Sequence, residues 1–139
     1  MCWTSYKNPI MRTAKKDIPI FKIMTKDLIS RYYCFAYELN TEYRSWLDYP
    51  EKSYNTNSSK YFINRGFHSY NPKCTVRKSF RNKTIKICSK QIFNYTLLAA
   101  EPYGVVKVEG IIPKDANYYL NEFGEYVSDR IKLTKIVEI

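Results

Sequence analysis

The segment Gly104–Ile112, with the sequence GVVKVEGII, is the clearest strand signal in the chain. Its Val and Ile residues are nearly continuous, which is typical of a strand buried on both faces. Pro113 follows directly and predicts a turn. Asp17–Met24 is also β-branched and apolar and predicts a first strand, with Pro19 suited to its start or to a sheet edge. The sequence therefore predicts a sheet that other elements cover.

Further strands and one or two helices are expected around this sheet. Tyr61–Tyr70 predicts a strand that Gly66 interrupts, and Glu125–Ile139 predicts the last strand region. In Thr84–Ala99, apolar residues at spacings of three and four predict a helix, and Thr25–Ser30 fits one short helical turn. Together these elements predict an α+β fold, a β-rich single domain with one or two helices.

The domain organisation follows from length and composition. The 139 residues, 45% of them apolar, suit one globular domain over 1–139, with an N-terminal arm at 1–16 and polar or basic loops at 50–60 and 71–83. No apolar run approaches the roughly 18–20 residues of a membrane span, and the first residues lack the apolar core of a signal peptide. We therefore expect a cytoplasmic protein without a membrane segment. Its Tyr-rich strands suit an interface between copies as well as a pocket, so a homo-oligomer stays open.

The sequence lacks the motifs of several enzyme classes. The four glycines, at positions 66, 104, 110 and 124, allow neither a G-x-G-x-x-G fingerprint nor a Walker A loop. The four cysteines include no C-x-x-C pair, so no zinc site is indicated, and thiols are expected. No G-x-S-x-G elbow accompanies a serine. These features favour binding over catalysis and predict no cofactor and no metal.

The net charge of +10 is concentrated in the middle third of the chain. Lys52–Ala100 carries ten of the 23 basic residues and none of the 13 acidic ones. A positive potential concentrates anions, so this segment predicts an anionic partner, either a nucleotide, a nucleic acid or an acidic protein. A solvated basic loop that only aids solubility is the alternative. The expected phosphate or anion contacts are Lys73, Arg77, Lys78, Arg81 and Lys83.

Four short motifs follow one another along the chain, namely Ile20-Phe21-Lys22, Gly66-Phe67-His68-Ser69, Ile112-Pro113 and Gly124-Glu125. Their order resembles that of the ADP-ribosyltransferase fold. In that family an Arg or His ends the first strand, a Ser-Thr-Ser or Tyr motif follows a G-F pair, and a Glu precedes a late strand. The resemblance places Lys22, Ser69 and Glu125 at these three positions. Lys22 is neither Arg nor His, and Ser69 lies in no Ser-Thr-Ser motif, so the resemblance implies a domain without turnover.

The resemblance implies that the domain holds an ADP-ribose-type nucleotide. The pattern is also similar to small proteins of gut Bacteroidota and their phages, where such a domain would sequester an immune signal as an anti-defence protein. Basic side chains would hold phosphates, aromatic rings would stack on the base, and Glu125 would bind a ribose hydroxyl. The expected ligand contacts are Lys22, Tyr33, Arg65, Phe67, His68, Ser69, Tyr118, Glu125 and Tyr126.

Three alternatives stay open. In a basic nucleic-acid-binding protein, Arg65 and the basic residues of 73–83 would form a groove with neighbouring aromatic rings. An inhibitor would dock an acidic protein partner through the same basic face. An active ADP-ribosyltransferase would use Glu125 to orient the ribose as the glycosidic bond breaks.

Overall fold

The computed structural model describes residues 3–29, 35–52, 60–79, 84–88, 92–96 and 105–137. Within these ranges the chain forms fourteen strands and no helix. The strands are β1 (Trp3–Ser5), β2 (Arg12–Thr13), β3 (Ile18–Thr25), β4 (Glu42–Arg44), β5 (Glu51–Lys52), β6 (Tyr61–Ile63), β7 (Phe67–Tyr70), β8 (Thr75–Ser79), β9 (Thr84–Cys88), β10 (Ile92–Thr96), β11 (Val105–Ile112), β12 (Asn117–Leu120), β13 (Glu125–Ser128) and β14 (Arg130–Val137).

The strands form one large sheet and two small ones, and all of their pairings are antiparallel. The eight-stranded main sheet has the order β2-β12-β13-β7-β3-β11-β14-β4. The β6 sheet has the order β1-β6-β5, and the β9 sheet has the order β10-β9-β8. The main sheet thus contains eight of the fourteen strands, and the two small sheets contain three each.

The predicted helix over Thr84–Ala99 is wrong. Its described part forms β9 and β10, which pair antiparallel from Ile92 with Cys88 to Thr96 with Thr84. The sequence of β9 alternates polar and apolar residues at every second position, which is the period of a strand. Its β-branched Thr and Ile residues also favour strand geometry. The three- and four-residue spacing across the whole segment was the weaker of the two signals.

The predicted helical turn at Thr25–Ser30 is also absent from the described part of that segment. β3 continues to Thr25, and a tight turn follows in which the N–H of Leu28 donates to the carbonyl of Thr25. Leu28 has a φ of 59°, in the left-handed region. The α+β prediction is therefore corrected to a β fold over the described residues.

The predicted strands at the centre of the sheet are confirmed. β3 and β11 pair along their whole length, from Val105 with Thr25 to Ile112 with Ile18. β3 is covered on both faces, because the successive residues Ile20 and Phe21 are both buried. β11 departs from the prediction of two buried faces, since Glu109 is exposed on one of them.

Three clusters of buried side chains hold the sheets together. The first core lies on one face of the main sheet and includes Ile20, Met24, Tyr37, Val108, Tyr126, Ile131 and Leu133. The second core joins the opposite face to the β9 sheet through Phe21, Cys74 and Ile87. The third core joins that opposite face to the β6 sheet through Trp3, Ile63, Tyr119 and Val127. Alternation along β3 and β13 assigns these faces, because neighbouring residues point to opposite sides.

The segments predicted as an arm and as loops contain strands. Residues 1–16 include β1 and β2, and Trp3 of β1 is fully buried in the third core. Residues 50–60 include β5, and 71–83 include β8, while 53–59 and 80–83 lie outside the described residues. Among the residues that the structure describes, no helix is long and apolar enough to cross a membrane.

Candidate functional site

The two halves of the main sheet meet at a single residue pair. β3 pairs with β7 only through Phe21 and Tyr70, whose rings stack with centroids 5.4 Å apart. One residue further along β3, the ammonium group of Lys22 donates a hydrogen bond to the carbonyl oxygen of His68. The Lys22 side chain therefore adds a hydrogen bond between β3 and β7 next to their single backbone pair.

Lys22 brings a buried positive charge to the junction. It shares a face of β3 with Ile20 and Met24, and its side chain is 9% exposed. Its ammonium nitrogen lies 5.6 Å from the ring centroid of Tyr37, a cation–π contact. No carboxylate of the described residues forms an ion pair with it, and burial lowers the pKa of Lys22 from 10.5 to about 8. The ammonium is thus mostly charged at neutral pH, at a cost in free energy that an anion would offset.

Ser69 adds a buried hydroxyl on the same face of the sheet. Phe67 and Ser69 are the buried positions of β7, and Ser69 pairs across the ladder with Tyr126, a member of the first core. The side chain is 1% exposed, and no described group hydrogen-bonds its Oγ. Buried polar side chains are usually hydrogen-bonded, and leaving one unpaired costs about 1–3 kcal/mol. The Ser69 hydroxyl is therefore a buried polar group without a described hydrogen-bond partner.

Aromatic residues of the first core lie on the same face as these two polar groups. Tyr37 contacts Phe67, with ring centroids 6.3 Å apart, and Tyr126 contacts Tyr118 at 5.7 Å. Burial raises the pKa of the Tyr37 and Tyr126 hydroxyls above the ordinary value, so both stay neutral at physiological pH. We call the group Lys22, Tyr37, Phe67, Ser69 and Tyr126 the Lys22–Ser69 site.

His68 lies on the opposite face of β7 from this site. It pairs across the ladder with Val127, which belongs to the third core. Burial, and after it the nearby charge of Lys22, lower the pKa of His68 to about 4, against a hydrogen bond with the backbone of Asn64 that raises it. The imidazole is therefore neutral at pH 7, and only the backbone carbonyl of His68 reaches the site.

Glu125 also lies away from the Lys22–Ser69 site. It precedes Tyr126 on β13, so strand alternation directs its side chain to the other face of the sheet. Burial, and after it the charge of the neighbouring Glu122, raise the pKa of Glu125 to about 7. The structure thus brings Lys22 and Ser69 together but separates Glu125 from both.

The other predicted contacts are divided between the site, the surface and the undescribed residues. Tyr118 borders the first core, whereas Arg65 is exposed in the turn between β6 and β7. Lys73 and Arg77 are exposed. Val76, next to Arg77, packs on the second core, which lies on the opposite face of the main sheet from Lys22. For Lys78 only the backbone position opposite Ile85 is described. Tyr33, Arg81 and Lys83 lie outside the described residues.

Sequence reasoning missed Tyr37, whose ring faces the Lys22 ammonium. The N–H of Tyr37 donates to the carbonyl of Leu28, which folds this segment back toward β3. Two signals were present in the sequence. Lys22 interrupts an otherwise apolar strand, and residues 31–39 are dense in aromatic residues that could cover it.

Comparisons with known proteins gave no matches. A scan against protein-family models found none, and searches of the curated proteins and of the solved structures also found none. The resemblance to the ADP-ribosyltransferase fold therefore stays a prediction. The candidate site is argued from its own geometry.

Proposed function

We propose that this chain binds a small phosphate-containing nucleotide at the Lys22–Ser69 site and does not turn it over. The Ser69 hydroxyl carries the proposal, because it is fully buried and has no described hydrogen-bond partner. The buried ammonium of Lys22 lies on the same face of the neighbouring strand, without a carboxylate in ion-pair contact among the described residues. Two donors in an apolar environment suit a phosphate oxyanion, since hydrogen bonds to charged groups are strong there.

The aromatic rings of the site support a nucleotide rather than free phosphate. Tyr37, Phe67 and Tyr126 are aromatic residues of the same core cluster, so a base bound beside Lys22 and Ser69 would pack against aromatic rings. An ADP-ribose-type signal is the ligand class that the motif order suggests. Tight binding without hydrolysis would suit sequestration of such a signal, as an anti-defence protein would require.

The positions of the titratable groups support binding without turnover. A general base must reach the proton that it removes. The His68 side chain lies on the face of the main sheet that carries the third core, and the Glu125 side chain lies on that same face. Neither group therefore accompanies Lys22 and Ser69 on the binding face.

Binding is expected to depend on pH through Lys22. An oxyanion beside the ammonium favours its charged form and raises the pKa of Lys22 above the value of about 8 in the free protein. Affinity should therefore be constant near pH 7 and fall as the pH rises through about 8.

Isothermal titration calorimetry with ADP-ribose, ADP and inorganic phosphate tests the proposal. We expect heat with a nucleotide, binding about tenfold or more weaker in Ser69→Ala, and no binding in Lys22→Met. Lys107→Met is the matched control, because Lys107 also lies over a ring, 4.5 Å from the centroid of Phe21, but on β11 and partly exposed. It should bind like the wild type.

Two results would overturn the proposal. One is the absence of heat with every nucleotide tested, and the other is equal affinity of wild type and Lys22→Met. Chromatography of the recovered nucleotide tests the second half of the proposal. Conversion of ADP-ribose during incubation would show turnover.

A further inference from the structure

The strand β4 forms one edge of the main sheet. It pairs with β14 on one side, and no described strand pairs with it on the other. Its residues Glu42 and Arg44 are exposed, and Tyr43 between them is partly buried. The unpaired backbone groups of an edge strand are a template on which another chain can add a strand. The open side of β4 is therefore a candidate interaction surface.

The backbone groups that face this open side belong to Glu42 and Arg44. In an antiparallel ladder, residues that bond to the neighbouring strand alternate with residues whose N–H and C=O groups point away from it. The N–H of Ser45 donates to the carbonyl of Asp129, directly before β14, at 2.8 Å. Alternation gives Tyr43 the same direction and points the backbone groups of Glu42 and Arg44 away from β14. A strand added at this edge would therefore bond to these two residues.

The charges of β4 match those of a second β4. Glu42 and Arg44 lie on one face of the strand, with 3.4 Å between Oε2 and Nε. In an antiparallel pair of β4 strands centred on Tyr43, Glu42 lies opposite Arg44 of the second copy, and Arg44 lies opposite Glu42 of the second copy. Centring the pair on Glu42 or on Arg44 would instead place like charges opposite each other, which is unfavourable. The charge pattern thus selects one register.

Arg44 lacks an opposing carboxylate on the strand with which it already pairs. It lies directly opposite Arg130 of β14, and like charges in this position are unfavourable, whereas Glu42 lies opposite Lys132. In the register centred on Tyr43, Glu42 of the second copy would lie on the other side of Arg44. Natural sheet edges are often protected by a charge that a partner strand leaves unmatched. A second copy would match both charges of this edge.

Apolar side chains border the same edge. Phe35 is 40% exposed and contacts Tyr43, with ring centroids 5.3 Å apart. Trp46 lies two residues beyond Arg44 and is 79% exposed. The same register aligns Trp46 with Asn40 of the second copy, so this ring would lie beside the other chain. Burial of apolar surface would therefore add to the backbone and charge pairing.

We propose that two copies of this chain form a symmetric dimer through β4, with the two-fold axis at Tyr43. Glu42 of each copy would exchange backbone hydrogen bonds with Arg44 of the other, and the two main sheets would become one continuous sheet. The paired segment is short, so the dimer should be weak and depend on protein concentration. No residue of the Lys22–Ser69 site lies on β4, so the proposal does not rest on nucleotide binding.

Sedimentation equilibrium from about 1 µM to about 1 mM protein tests the dimer. The wild type should change from monomer to dimer across this range. Glu42→Arg and Arg44→Glu should each weaken dimerisation about tenfold or more, because both symmetric charge pairs become repulsive. Glu109→Arg is the matched control, because it makes the same change of charge at an exposed position of β11. It should dimerise as the wild type does.

A mixture of the two charge variants tests the register itself. Glu42→Arg leaves only positive charges on β4 and Arg44→Glu only negative ones, so the mixture should form a mixed dimer in which every facing pair is again opposite in charge. Native mass spectrometry separates this mixed dimer from the two homodimers, because the variants differ in mass, and circular dichroism checks that both are folded. A wild type that stays monomeric at about 1 mM, wild-type dimerisation in both single variants, equal weakening by Glu109→Arg, or no mixed dimer between folded variants would overturn the proposal.

Discussion

Replacement of Ser69 by alanine should stabilise the ligand-free protein. The hydroxyl is 1% exposed and unpaired among the described residues, so its removal relieves a desolvation cost of about 1–3 kcal/mol. The void left by one oxygen atom, roughly 13 Å³, costs only about 0.3 kcal/mol. We expect a net gain of about 1–2 kcal/mol in the free energy of unfolding. The same change should weaken nucleotide binding, so stability and binding should move in opposite directions.

Ser128→Ala is the matched control on the neighbouring strand β13. Ser128 is fully buried, but its Oγ donates a hydrogen bond to the carbonyl of Arg130 at 2.9 Å. Losing this bond should cost about 1 kcal/mol, so the two serine variants should change stability with opposite signs.

Urea unfolding measures both variants, with Trp3 as the buried reporter in a Trp46→Phe background. If Ser69→Ala destabilises the protein as much as Ser128→Ala does, the Ser69 hydroxyl is hydrogen-bonded in the folded state and the reasoning fails. Saturating ADP-ribose provides a second reading. It should reduce the stability advantage of Ser69→Ala by about 1.4 kcal/mol or more, because a tenfold difference in affinity has that value at saturation and the ligand stabilises the form that binds it more tightly.

Three further outcomes follow from the same structure. Because burial lowers the pKa of Lys22 to about 8, unfolding assays across pH 8 to 10.5 should show the wild type gaining roughly 3 kcal/mol over Lys22→Met, and parallel profiles would contradict this. Between pH 4.5 and 6.5, His68 should make stability rise with pH, since its folded pKa is about 4, whereas Glu125, with a folded pKa of about 7, should make it fall. Glu125→Gln should therefore have the steeper rise, and a slope equal to that of the wild type would count against it. Gly66→Ala should lower stability by about 2–4 kcal/mol in thermal unfolding, because φ is +143° and the new β-carbon would lie 2.6 Å from Val127 Cγ2; an unchanged midpoint would refute this.

The central strands were predictable because their local pattern agrees with their burial. β3 and β11 are β-branched and apolar, and no competing signal lies within them. The segment around β9 and β10 carried two signals at once. Its three- and four-residue spacing suggested a helix, while each half alternated with a strand period. The β-branched Thr and Ile residues favour the strand over the helix. The antiparallel hydrogen bonds between β9 and β10 stabilise the strands further, and the spacing of apolar residues within one segment does not reveal such pairing.

Four of the five residues of the Lys22–Ser69 site were among the contacts expected from the sequence, whereas Tyr37 and the geometry of Glu125 were not predicted. Lys22 and Ser69 both appeared among the expected contacts, and the structure directs both to the first core. Glu125 was grouped with them from motif order alone. Tyr126 pairs with Ser69 and shares its face of the sheet. Because neighbouring residues of a strand point to opposite faces, the Glu125 side chain points away from Ser69. Tyr37 was missed because it reaches Lys22 through the fold-back to Leu28, which no local pattern encodes.

The junction of β3 and β7 concentrates two unfavourable terms in one place. The charged form of Lys22 costs roughly 3 kcal/mol there, and the Ser69 hydroxyl adds about 1–3 kcal/mol. Their sum is a large part of the 5–15 kcal/mol by which a domain is usually stable. An apolar pair at these positions would remove both costs and still pack against Ile20 and Met24. A ligand that accepts a hydrogen bond from each group would recover most of this free energy, so the same groups that weaken the free protein would strengthen the complex.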